Sequence, residues 1–233
     1  SDAVTSAEAC RDAIRNTLGA KLEEIDNSVI ASVVPVITPH VATAMEDITG
    51  RAPLVIGEDG VDLGIAVNID RPEQAGADRV VNAVGAQVHH RLPAVILDFG
   101  TATTLDLVGA DGAYEGGIIA PGLGLMTRYL HEQTALLPEL MPEDLVQAEG
   151  AIGKSTRHAM QLGVAIGYSG MLDALCDRVI AELREREGVD PLILTTGGST
   201  ANLTSDWATR AQFVPHLTLH GLAAAFPQGF ATS

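Results

Sequence analysis

The chain reads as an α/β protein in two consecutive halves, and three observations carry that reading. Short apolar runs rich in Val, Ile and Leu alternate with longer stretches of helical period. Strand-like runs separated by Gly-containing turns cluster just past the middle, and Leu92-Pro93 marks the point where one half gives way to the next. Residues 1–92 are expected to form the first half and 93–233 the second.

The elements follow in order. Ser1 to Gly19 reads as a helix, with Ala9, Ala13, Ile14 and Leu18 on a loose apolar face. Strands are expected near 28–34, 54–56 and 63–67, with helices near 38–49 and 78–91 between or after them. The second half opens on hairpin strands 94–98 and 103–108, turns at Gly109-Ala110-Asp111-Gly112, and adds a strand at 114–119. Helices near 124–134 and 157–186, a strand at 191–195 and a last helix near 219–225 complete it.

With 233 residues, 46% of them apolar, the chain can bury one large core or two modest ones. No apolar run approaches the roughly 20 residues that cross a bilayer. No secretory signal pattern is visible at the start, so the cytoplasm is the expected compartment. A net charge of −16, with Lys21 and Lys154 as the two lysines, argues against nucleic-acid binding, which needs basic surface. Cys10 and Cys176 are far apart and show no metal-ligand spacing, so both are expected as free buried thiols. The seven histidines also lack metal spacing and read as structural or surface residues.

The stretch richest in chemistry is Leu97-Asp98-Phe99-Gly100-Thr101-Ala102-Thr103-Thr104. Gly100 would let a phosphate approach the backbone, and Thr101, Thr103 and Thr104 offer hydroxyl and N–H donors. Asp98, at the strand end, can hold a cation nearby. A hairpin corner whose threonines serve strand propensity and turn hydrogen bonds has the same residues, and this segment alone leaves both open. Asp78 is similar. In Gly76-Ala77-Asp78-Arg79, ahead of the apolar-periodic Val80, Val81, Val84 and Val88, it can be a helix N-cap, a reacting carboxylate, or both.

Taken in order, Gly76-Ala77-Asp78-Arg79, the Gly100 hairpin, Tyr114-Glu115-Gly116-Gly117 through Pro121-Gly122, Ile152-Gly153-Lys154-Ser155-Thr156 and Thr195-Thr196-Gly197-Gly198 resemble the type III pantothenate kinases. That family belongs to the actin-like/sugar-kinase ATPase superfamily. The resemblance implies two ribonuclease H-like halves of the actin-like ATPase fold, the first without its opening strands. It implies phosphorylation of pantothenate by Mg·ATP in a homodimer, with a monovalent cation, potassium or ammonium.

Carried over by position, Gly76, Ala77, Asp78 and Arg79 form the substrate-binding turn, with Asp78 the base. Thr156 contacts pantothenate from the partner subunit. Asp98 holds the cation, Gly100 and Thr101 bind ATP, and Gly197 and Gly198 let the adenosine lie close to the backbone. Two departures stand beside these matches. Ile69 occupies a place where some members put a tyrosine, and the family's opening Asp-x-Gly-Asn-Thr hairpin does not occur in the sequence. A hairpin omitted from the sequence is the expected cause of the second, because a sheet stripped of its first strands exposes unpaired backbone along an edge. The alternative is a catalytically silent homologue that binds pantothenate or a nucleotide as a regulatory or assembly protein.

Overall fold

The computed structural model describes residues 6–58, 61–141, 144–145, 149–198 and 209–229. The chain divides into two compact units, one of Ser1–Ile65, Asp70–Val88 and Thr218–Ser233, the other of Ala66–Ile69 and His89–Leu217. Among the described residues, no helix is long and apolar enough to cross a membrane.

The first unit holds α1 (Ala7–Leu18), β1 (Val29–Ile30), α2 (Thr38–Thr49), β2 (Leu54–Val55), α3 (Ala77–His89) and α6 (Leu217–Gly229). The first five residues of the expected opening helix lie outside the described residues. Ser6 caps α1 by accepting the Ala9 N–H, and Gly50 ends α2 at φ 72, a left-handed turn that glycine adopts without strain. β1 and β2 pair in parallel, Val29 with Leu54 and Ile30 with Val55. The strand expected over 28–34 thus stops early. Ser32 Oγ accepts the Val34 N–H and the Thr38 hydroxyl, so Val33 and Val34 lead into α2. α3 buries Val80, Val81 and Val84. Its Asn82 Oδ1 accepts the Thr218 hydroxyl at 2.7 Å, and a methyl on Gly221 of α6 would lie 1.9 Å from the Val81 carbonyl oxygen.

The second unit is built on a five-stranded sheet of order β5-β4-β3-β6-β7. Its strands are β3 (Ala94–Phe99), β4 (Ala102–Val108), β5 (Tyr114–Pro121), β6 (Leu192–Thr196) and β7 (Gln212–Phe213). β3, β4 and β5 run antiparallel, whereas β6 and β7 run parallel to β3, which is the ribonuclease H-like arrangement. The fold class is therefore α/β of the expected kind. β1 and β2 of the first unit pair in parallel, as β6 and β7 do in this sheet. The strand expected over 63–67 is an isolated bridge from Val67 to Tyr114, where the chain lies beside β5 without forming a ladder.

α4 (Leu123–Glu132) follows β5, and α5 (Thr156–Glu187) supplies most of the apolar face of the core. Met160, Val164, Tyr168, Leu172, Cys176, Val179 and Leu183 recur at three- and four-residue steps and pack on Val95, Leu97, Phe99 and Leu105 of the hairpin. Gly163, Gly167 and Gly170 lie off that stripe, with open space where a Cβ would stand. The hairpin that carries Asp98 and Thr101 is thus held from behind by a long helix.

Candidate active site

In the first unit the Gly76–Arg79 turn opens α3. Gly76 accepts the Val80 N–H at 3.1 Å, the first helical bond, so Gly76 is the cap and Asp78 is the second residue inside the helix. The expected N-cap role for Asp78 is corrected by this geometry. Its Oδ1 instead accepts the adjacent Arg79 N–H at 2.9 Å, at the helix end where the dipole favours negative charge. A Cβ on Gly76 would fall 2.8 Å from that oxygen, so glycine leaves room for the carboxylate. Asp78 and Arg79 are both half-buried.

In the second unit the structure brings together Asp98, Gly100, Thr101 and Gly197. Gly100 and Thr101 form the tip between β3 and β4, and both are exposed. Asp98 is half-buried, with Thr104 directly opposite on β4 and Thr196 alongside on β6. Gly197 has φ 95, and a Cβ there would stand 2.6 Å from Asp98 Oδ1 and 2.6 Å from the Phe99 nitrogen. The glycine is required by the protein's own backbone. Gly198, next in the chain, is exposed with nothing within 4 Å of its would-be Cβ, and is the member of the pair open to a ligand.

The three hairpin threonines do not act alike. Thr101 is exposed at the tip, while Thr103 is fully buried on the α5 side with its hydroxyl paired to Tyr168 Oη at 2.7 Å. Thr103 therefore drops out as a ligand donor. Burial raises the Tyr168 phenol above its ordinary pKa, partly offset by this bond. Thr104 faces the other side of the sheet and donates to Asp106 Oδ2 at 2.9 Å.

Thr156 is the first residue of α5 and is exposed. Ser155 caps the helix through the His158 N–H, and a Cβ on Gly153 would come within 2.4 Å of the Ala159 Cα. His158 is structural here. Its Nδ1 accepts the Lys154 N–H at 3.4 Å and its Nε2 donates to the Glu149 carbonyl at 2.9 Å, tying down the turn before Thr156. Lys154 is exposed, and Ile69 lies beside Gly116 of β5.

Two contributors were not singled out by residue type. Gly122 donates its N–H to the Thr101 carbonyl, and a Cβ there would lie 2.3 Å from the same oxygen, so the start of α4 is pressed onto the hairpin tip. Asp106, an acid between Leu105 and Leu107 in an apolar strand, is the other. Its place in the sequence is the signal that could have found it.

A family profile described as type III pantothenate kinase matches residues 1–178. The chain belongs to the type III pantothenate kinase family. A type III pantothenate kinase from Paramagnetospirillum magneticum is 40% identical over 199 residues, covering 85% of this chain and 74% of that protein. One from Nocardia farcinica is 36% identical over 213 residues, covering 91% and 79%. The crystal structure of a conserved Baf family protein from Campylobacter jejuni superposes with a TM-score of 0.58 at 17% identity, over 88% of this chain and 85% of that one, a likeness of fold alone. Membership in the type III pantothenate kinase family makes the chain a kinase by class, and the Gly76–Arg79 turn and the Gly100 hairpin lie within the matched residues.

Proposed function

We propose that this protein transfers the γ-phosphoryl group of ATP to the primary hydroxyl of pantothenate, giving 4'-phosphopantothenate and ADP, the first step of coenzyme A biosynthesis. The observation that carries the reading is the Gly76–Arg79 turn, which presents a half-buried carboxylate at a helix N-terminus in a chain of this family.

Asp78 takes the proton of the attacking hydroxyl while the new O–P bond forms and the bond to the β-phosphate bridging oxygen breaks. Positioning and charge stabilisation dominate phosphoryl transfer, so a carboxylate suffices as base. Gly76, Ala77 and Arg79 shape the pantothenate turn beside it. Gly100 and Thr101 lie at the ATP phosphates and Gly198 at the adenosine, with Gly197 setting the approach. Mg²⁺ bound with ATP supplies positive charge to the phosphates. Asp98 suits a monovalent cation, because its half-buried carboxylate stands at the end of β3 between two threonines in neighbouring strands, an all-oxygen donor set.

Thr156 contacts pantothenate across a homodimer interface in this reading, and the exposed Ile152 and Ile166 near and along α5 are surface that a second copy would cover. The reaction belongs in the cytoplasm. Incubation with pantothenate and ATP labelled in the γ-phosphate tests the proposal. Label on the pantothenate hydroxyl supports it, whereas label released only as inorganic phosphate, or not at all, overturns it.

A further inference from the structure

Asp106 has no exposed surface, although it sits mid-strand between two leucines. A buried carboxylate is costly unless its oxygens are bonded, and this one accepts the Tyr114 hydroxyl at 3.0 Å on Oδ1 and the Thr104 hydroxyl at 2.9 Å on Oδ2. A strand pin needs no charge, since Tyr114 could be held by a neutral acceptor. The second bond is the informative one.

Thr104 is the register partner of Asp98, so their side chains stand on one face of the sheet with Cβ atoms about 4.5–5.5 Å apart. Asp106, two residues on, shares that face, whereas Thr103 and Leu105 point to the α5 side. A threonine hydroxyl has one proton and two lone pairs. Turned toward the Asp98 side, the Thr104 proton would oppose any cation held there. Asp106 accepts the Thr104 hydrogen bond on its own side, which leaves the lone pairs of the Thr104 oxygen for the Asp98 side. The geometry points to Asp106 as a positioning residue that fixes Thr104 as an oxygen donor for a monovalent cation held by Asp98. This inference rests on the proposed cation role of Asp98.

The test follows the melting temperature of the protein with Mg·ATP as potassium chloride replaces choline chloride at constant ionic strength, which reads ion binding independently of turnover. Residues that orient a metal's ligands typically change affinity by about 10–100-fold when removed. Thr104→Val and Asp106→Leu, which leaves no acceptor at position 106, are expected to raise the half-saturating potassium concentration about tenfold or more, while Thr104→Ser, which keeps the hydroxyl, stays near wild type. Tyr114→Phe removes the tyrosine's bond to the same carboxylate and is expected to lower the melting temperature without moving the potassium midpoint.

Wild-type midpoints in Thr104→Val or Asp106→Leu would overturn the inference, as would a Tyr114→Phe midpoint displaced as far as that of Asp106→Leu. If Asp106→Leu does not fold, Thr104→Val still decides the shared premise, since a wild-type midpoint there removes the ligand that Asp106 would orient and overturns the inference. A wild-type protein indifferent to potassium would instead overturn the cation role of Asp98 itself.

Discussion

Gly197 at the end of β6 lies against the Asp98 carboxylate at the end of β3, so close that a methyl group on Gly197 would stand 2.6 Å from Asp98 Oδ1. Two adjacent parallel strands thus end with no side chain between them, and the proposed cation and nucleotide residues share that edge.

The Gly197-Gly198 pair can be separated by substitution. Gly197→Ala places a Cβ against Asp98 and Phe99 at φ 95, and overpacking of this kind costs about 1–3 kcal/mol. The denaturant midpoint should fall accordingly. Gly198→Ala meets nothing within 4 Å, so stability should match wild type while ATP affinity, read by calorimetry, decreases. Unchanged affinity would remove the adenosine role from Gly198.

Much of this architecture was legible in the sequence. The apolar runs at 94–98 and 103–108, broken at Gly100, predict the hairpin, and the helical stretch near 157–186 predicts α5. Strand alternation also separates Thr103 from Thr104. Residue type alone makes the two look equivalent, and only the direction of the core shows which is spent on Tyr168.

Other features had no local signal. Val33 and Val34 have strand propensity, yet the Ser32 and Thr38 side chains turn the backbone into α2. β7 is two exposed residues whose pairing with β6 is set by tertiary context. Asp78 looked like a cap because acids at helix starts usually are, but Gly76 two residues earlier closes the first helical bond.

Both thiols should be chemically silent in the folded protein. Cys176 is fully buried and burial pushes its pKa up to about 12, with Arg210 lowering it only in part. Cys10 is 3% exposed. A disulfide-exchange reagent at pH 8 is expected to titrate neither thiol in native protein and both in denaturant; rapid native reaction of either contradicts the packing described.

The contacts of Asp144 with Met141 and Arg157 should loosen in acid. The Met141 N–H and the Arg157 guanidinium, 2.6 Å from Asp144 Oδ2, hold the Asp144 pKa below its ordinary 3.8. A carboxyl whose folded pKa is depressed contributes stability above its unfolded pKa and loses it as pH falls through the folded value. Amide exchange at Met141, corrected for its intrinsic pH dependence, should lose protection below about the ordinary carboxylate pKa, because protonation weakens the acceptor. Asp144→Asn should flatten that dependence.

The most direct measurement is pantothenate-dependent ATP turnover by Asp78→Asn beside its melting temperature. Asparagine keeps an oxygen that can accept the Arg79 N–H and gives up only a helix-end charge interaction worth about 0.3–1 kcal/mol, so the variant should melt within a few degrees of wild type. Loss of a general base costs on the order of 10²–10⁴ in rate, so kcat should fall in that range while ATP still binds. A folded Asp78→Asn protein that phosphorylates pantothenate at the wild-type rate would contradict the assignment of Asp78 as the base.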